Sequence, residues 1–434
     1  MVIEGEQTRG HGWVIALTIS IGALVLALAA WLILVRIPRL APQIVAVPSA
    51  SAPTGWDLLG KLNVPDGIVP GWATIMSSGV VGVVIVAWRF DGNDWKDFQV
   101  FDTATKTTLW EDQGWAVYPV AGDKLAITGD PGLDLYSVRT GTGESFSLGG
   151  MPDVVFVGRQ TIVNYGMETG TLCGRRISNP RVCAWQRKVD VTSEIPDPGV
   201  TWIDTSAGVI DADSGQPAGF GYDANSDDDD PSVWYVAYGP QRVVRYQRAG
   251  DDLTCQLWDT RNNEAINPDI VEYCVDFAWP DISYFLTQGW QDDDGNFTMT
   301  AISWQSGQEI WQALIHPTIQ MNLSDASVAY AGGSVIVTTD ADVTSPQTPA
   351  TQTVLNATNG SVVWTNTAYR FVGDISHIAY MTPGQTLNGF DASSPNFEEL
   401  WSIPLPSDTA EVSIVDGVVY ALSESTGELW VLRN

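Results

Sequence analysis

One motif recurs along this chain and limits what it can fold into. An apolar pair is followed by a short polar turn, then by a strand that ends in tryptophan. It reads VFDTATKTTLW at Val100 to Trp110 and AISWQSGQEIW at Ala301 to Trp311. It returns as VLNATNGSVVW at Val354 to Trp364 and as GFDASSPNFEELW at Gly389 to Trp401. Looser copies begin at Leu135, Val209 and Leu257, and a last one, ALSESTGELW, runs from Ala421 to Trp430. Self-similarity at this period indicates stacked supersecondary units, none of which buries its apolar face alone.

Each unit reads as four antiparallel strands. Ahead of several copies lies a second turn: Val415-Asp416-Gly417-Val418, Ala121-Gly122-Asp123-Lys124 or Ala331-Gly332-Gly333-Ser334. Asp-Gly or Gly-Gly between two apolar runs is a two-residue hairpin signal. Unit ends fall near 110, 148, 219, 266, 311, 364, 401 and 430, and most gaps suit a propeller blade of about 40–50 residues. The long gap from 148 to 219 reads as one unit with an insertion carrying Cys173 and Cys183. The last unit has strands at Val412–Val415, Val418–Ser423 and Glu428–Arg433, then stops. An open edge invites association. The fourth strand is therefore expected from the other end of the chain, Gly55–Leu62. The expected fold is all-β: an eight-bladed β-propeller of four-stranded antiparallel blades over residues 56–434, preceded by one transmembrane helix.

That helix is read at 13–35. WVIALTISIGALVLALAAWLILV has no charge across 23 residues. At about 1.5 Å per residue it spans roughly 34 Å, enough for a bilayer core of about 30 Å. Trp13 and Trp31 suit the two interfaces. A cleaved signal peptide ending at Ala27-Leu28-Ala29 is the competing reading. Residues 1–12 form a short tail, expected in the cytoplasm, and 36–55 a linker rich in Pro, Ala and Ser. Positive charge does not fix orientation, since Arg9 precedes the span and Arg36 and Arg39 follow it. The long, turn-rich domain with every cysteine is placed outside, which makes this a single-pass cell-membrane protein. Cys173 with Cys183 and Cys255 with Cys274 are the simplest of three possible disulfide pairings.

The phrase VDGVVYALSESTGELW, Val415 to Trp430, resembles the repeat of the pyrroloquinoline-quinone-like β-propeller superfamily. Arg outnumbers Lys 16 to 5, which favours a bacterial member with a GC-rich genome. The resemblance implies a propeller, often of eight blades. Its members include quinoprotein dehydrogenases and the non-catalytic propeller of the outer-membrane protein assembly machinery. Fold does not carry function with it. The dehydrogenases hold their quinone under adjacent cysteines, and this sequence has no Cys-Cys pair, so no cofactor is expected.

Candidate chemistry is sparse. There are three histidines, His11, His316 and His377, too few for a multi-histidine metal site. The 51 acidic residues make a close carboxylate pair uninformative about glycoside hydrolysis. Asp223, Asn225, Asp227 and Asp229 alternate as in a calcium loop but lack its Gly and closing Glu. Asp292, Asp294 and Asn296 offer a second set of oxygens, and a solvated loop is the simpler reading of both. Trp110, Trp311, Trp364, Trp401 and Trp430 are expected between blades, whereas Trp95, Trp115, Trp279 and Trp290 sit near loops where an indole stacks on a sugar or a partner side chain.

No catalytic residue is assigned. A net charge of −30 opposes a phosphate backbone and favours basic partners or cations. The leading expectation is a non-enzymatic binding or scaffolding module of the cell envelope with protein partners. The alternatives are a propeller enzyme acting through its central channel, either an oxidoreductase or a glycan hydrolase, and a transmembrane sensor.

Overall fold

The computed structural model describes residues 52–433 apart from several stretches, the longest being 189–201, 218–232, 275–283, 317–326 and 340–349. Residues 1–51 form a separate unit outside the described residues. The expected tail, span and most of the linker therefore lie outside them too. Among the described residues no helix is long and apolar enough to cross a membrane.

The described chain is all β-strand, beginning with β1 (Gly55–Lys61). The next sheet is β2 (Thr74–Ser77), β3 (Val83–Arg89), β4 (Lys96–Asp102) and β5 (Thr107–Gly114). Then come β6 (Ala116–Val120), β7 (Lys124–Gly129), β8 (Gly132–Ser137) and β9 (Gly143–Ser147). The third sheet is β10 (Val154–Val157), β11 (Thr161–Gly166), β12 (Thr171–Arg176) and β13 (Asn179–Lys188). A two-stranded piece follows, β14 (Trp202–Ile203) and β15 (Ile210–Asp211). Four-stranded sheets resume with β16 (Val233–Ala237), β17 (Arg242–Ala249), β18 (Asp252–Asp259) and β19 (Glu264–Ala265). Next are β20 (Tyr273–Cys274), β21 (Tyr284–Gln288), β22 (Phe297–Ser303) and β23 (Glu309–Ile315). After them come β24 (Ser327–Ala331), β25 (Ser334–Thr339), β26 (Thr351–Asn356) and β27 (Val362–Asn366). The last two groups are β28 (Arg370–Ile375), β29 (Ile378–Thr382), β30 (Thr386–Asp391) and β31 (Glu399–Pro404), then β32 (Thr409–Val415), β33 (Val418–Ser423) and β34 (Glu428–Arg433).

Every sheet is an antiparallel meander of neighbours in sequence, with one exception that closes the series. The last sheet has the order β1-β34-β33-β32, so its fourth strand comes from the start of the domain. Gly55 pairs with Arg433 and Lys61 with Glu428. Thr54 N–H donates to Arg433 O at 2.9 Å and Leu62 N–H to Gly427 O at 2.7 Å, extending the clasp at both ends. The expected donation by Gly55–Leu62 is what the structure shows.

Successive sheets pack face to face through apolar clusters. Trp88, Phe101, Leu59, Tyr420 and Leu422 join the last sheet to the first. Phe98, Val100, Leu125 and Ile127 join the first to the second. Phe297, Met299, Val335 and Leu355 fill a later joint, and Ile336, Val354, Met381 and Phe390 the one after it. First strands of neighbouring sheets converge: β24 with β28, β28 with β32, and β32 with β2. Sequential meanders that pack sheet on sheet, converge at their first strands and close end to start form a β-propeller.

The tryptophan motif has a local cause. In β5, Trp110 pairs with Val100 and Thr108 with Phe101, leaving Leu109 without a partner on β4. The same slip of register precedes Trp185, Trp311, Trp364 and Trp401. Such a bulge adds a residue to the outermost strand, twists it and re-aims the side chain that follows. The indole then lies over the turn of the next sheet. Trp110 Nε1 donates to Val138 O at 2.7 Å and Trp311 Nε1 to Ala357 O at 2.9 Å. Those turns require a left-handed residue: Gly141 has φ 61° and Gly360 has φ 69°. A Cβ on Gly141 would lie 2.6 Å from Trp110 Cγ, so glycine also makes room for the ring. Phe397 takes this position in one turn, with φ 48°, and stacks on Phe390 beneath Trp364.

One expectation needs correction. The stretch from 148 to 219 is not one unit with an insertion. It holds the complete sheet β10–β13 and then β14–β15, whose turn repeats the motif geometry, with Gly215 N–H donating to Asp211 O at 2.8 Å. Trp185 lies over Gly215 as Trp110 lies over Gly141. This piece thus takes the place of a shortened unit, and Cys173 and Cys183 belong to regular strands. Trp430 packs between the last two sheets as expected, but on a different strand from the other motif tryptophans. It sits on the third strand of its sheet, opposite Ala421, because the fourth strand is β1. At that joint Gly60, against Phe101 and Lys106, replaces the indole.

Candidate functional site

A group of enclosed charges sits where the first strands converge, on both sides of the closing sheet. Arg370 opens β28 and Glu411 lies near the start of β32, so strand convergence brings them together across a joint. Arg370 NH2 approaches Glu411 Oε2 at 3.4 Å, and both side chains are mostly enclosed, 23% and 13% exposed. Ser413 Oγ donates to Glu411 Oε1 at 2.5 Å. Burial raises the Glu411 carboxyl above the usual Glu range, and it outweighs the opposing pull of Arg370. The charge of Glu424 adds to the rise.

Glu424 follows β33 and is 9% exposed. Its Oε1 accepts the Ala73 N–H at 2.8 Å, just ahead of β2. One carboxylate thus ties the closing sheet to its predecessor, and the other ties it to the first sheet. Ser77 Oγ, on β2, adds a bond to Asp416 Oδ1 at 3.1 Å. Asp374 on β28 is likewise pushed upward by burial. The chemistry available is ion pairing and hydrogen bonding to polar groups.

His316 follows β23, and its Nδ1 hydrogen-bonds Asn296 Oδ1 at 2.8 Å. His377 is in the β28–β29 turn, where its carbonyl accepts the Ala392 N–H at 2.8 Å. Among the described residues no three His, Cys, Asp or Glu side chains are placed to hold a metal ion. Asp223–Asp230, Asp292 and Asp294 lie outside the described residues, as do Trp95, Trp279 and Trp290. Trp115 is half-buried between β5 and β6. Cys173 and Cys183 form a disulfide with Cα atoms 5.5 Å apart. Cys255 is disulfide-bonded too. The side chain of its expected partner Cys274 lies outside the described residues.

Sequence reasoning missed Arg370, Glu411 and Glu424. They are spread over separate strands, and only the register of the closing sheet unites them. No protein-family model matches the chain, and no curated protein matches it. Solved structures do. BamB from Moraxella catarrhalis is 12% identical, with 83% of this chain and 96% of that one covered and a TM-score of 0.43. The Dos1 propeller is 7% identical over 87% and 95%, with a TM-score of 0.46. Kluyveromyces lactis Hsv2 is 13% identical over 70% and 87%, with a TM-score of 0.33. None of these likenesses bears on a site or an activity.

Proposed function

We propose that this chain is a membrane-anchored, extracytoplasmic propeller of eight full blades with pyrroloquinoline-quinone-like repeats, serving as a non-enzymatic binding or scaffolding module. In this reading residues 13–35 span the cell membrane, the amino terminus is cytoplasmic, and the partners are proteins at the outer face. The clasp of β1 on β34 carries the reading. It joins the strand nearest the apolar run directly to a rigid ring whose rims present loops, a platform suited to partners. The Cys173–Cys183 disulfide supports an oxidising compartment. The excess of acid suits basic partners at the rims.

Two measurements test it. A membrane-impermeant thiol label should reach Cys183 in intact, reduced cells. A photo-cross-linker at Val81, on the β2–β3 rim hairpin and 88% exposed, should give discrete protein adducts. Labelling only after lysis refutes the topology. Absence of adducts at Val81 and at other rim hairpins refutes the binding role.

A further inference from the structure

One sheet edge runs against the acidic charge of the chain. Between Glu168 and Asp190 the chain has no carboxylate, yet it holds Arg175, Arg176, Arg181, Arg187 and Lys188, five of its 21 cations. This stretch forms β12 and β13. At ten residues β13 is the longest strand among the described residues, and it is the outermost of its sheet. The outermost strands β5, β9, β23 and β31 carry carboxylates and no cation.

The basic edge is held in shape from behind. The Cys173–Cys183 disulfide fastens β13 to β12. Arg187 Nε donates to Gly215 O at 2.8 Å, and Arg175 NH1 donates to Pro180 O at 3.0 Å. Pleat alternation then turns Val182, Ala184, Gln186 and Lys188 outward. Val182 is 62% exposed, a bare apolar side chain among cations. Arg181 pairs with Glu144 at 2.9 Å, but at 71% and 59% exposure that pair is worth little and exchanges readily. Arg176 and Lys188 are exposed and form no ion pair among the described residues.

We infer that the outer edge of β13 docks an acidic, extended polypeptide segment. An outermost strand offers a row of backbone donors and acceptors to an added strand. Arg181 and Lys188 stand about 23 Å apart at roughly 3.3 Å per residue, so a segment of about eight residues reaches both. Guanidinium forks match carboxylates, and Val182 gives an apolar side chain of the segment a contact. A long polyanion fits less well, because the net charge of −30 repels it beyond the narrow basic strip. The assignment rests on the binding-module reading and adds a partner chemistry opposite to the one the net charge suggests.

The test uses the full chain in neutral detergent and a fluorescein-labelled peptide of about twelve residues alternating Glu and Val. Saturable binding that weakens with salt is expected. It should weaken at least about tenfold, or 1.4 kcal/mol, in the combined variant Arg176→Glu, Arg181→Glu, Lys188→Glu. The milder pair Arg181→Gln, Lys188→Gln should fall between, and a Lys/Val peptide should not bind. No saturable binding, or equal binding by the charge-reversed chain, overturns the inference. Equally tight binding of a thymidine oligonucleotide also overturns it, since the edge would then be a general polyanion site. Failure here with the Val81 adducts intact removes only this edge, whereas loss of those adducts removes the module itself.

Discussion

Removing β1 should open the ring, and the loss can be estimated. The comparison is between a chain beginning at Ala52 and one beginning at Asn63. The shorter chain loses Leu59 and Leu62, which are 8% and 2% exposed, each worth about 1.5–3 kcal/mol when buried. It also loses a ladder from Gly55–Arg433 to Lys61–Glu428, whose bonds contribute about 1 kcal/mol each after exchange with water. The Asp57–Arg433 ion pair at 2.6 Å is half exposed and adds little. A loss of at least about 5 kcal/mol follows, close to the whole stability of many domains. Urea unfolding followed by tryptophan fluorescence should show a midpoint lower by roughly 1–2 M. A peptide spanning Thr54–Leu62, added in excess, should restore part of the difference by occupying the bared edge of β34. Equal midpoints and slopes for the two chains would refute the claim that β1 closes the fold.

Three further outcomes are expected. Gly360→Val places a Cβ 2.4 Å from Trp311 Cε3 at φ 69° and should cost about 2–4 kcal/mol in urea unfolding, whereas Gly417→Ala, at φ 74° with open space around it, should cost about 1 kcal/mol. Cys183→Ser removes a cross-link between residues 10 apart in sequence and should cost about 3 kcal/mol, a difference that disappears when both proteins are unfolded in reductant. For Glu411 the folded carboxyl titrates above its unfolded value of about 4.3, so the folded state binds the extra proton and its stability rises as pH falls towards that value. Denaturation across mildly acidic pH should show the wild type gaining on Glu411→Gln as pH falls, and a pH-independent difference would contradict the burial of that carboxyl.

Strand pairing was legible where sequence neighbours pair and turn chemistry is local. Asp416-Gly417 and Gly332-Gly333 do form two-residue turns between paired strands. The closing strand was legible because a three-stranded last unit leaves an edge that something must cover. The third sheet was not recognised, although CGRRISNPRVCAW ends in a tryptophan that docks like the others. Its turn lacks the glycine found in several other copies, and arginine replaces the usual small polar residues. Trp430, which the sequence already placed on the third strand of its unit, shows that one motif serves two positions. A Thr-Gly turn and a following tryptophan occur on either inner hairpin of a meander, and strand order alone separates them. The Arg370–Glu411 pair was out of reach because 41 residues separate its members, and only packing of adjacent sheets decides which inner side chains meet.

Because β1 pairs with β34, the closing sheet cannot assemble until both ends of the domain have been made. The partner of Lys61 is Glu428. At about 5–20 residues per second, β1 waits on the order of 20–70 s for that partner to emerge from the ribosome. Throughout that interval Leu59 and Leu62 lack the sheet that buries them, which leaves this short strand open to a chaperone holding the nascent chain.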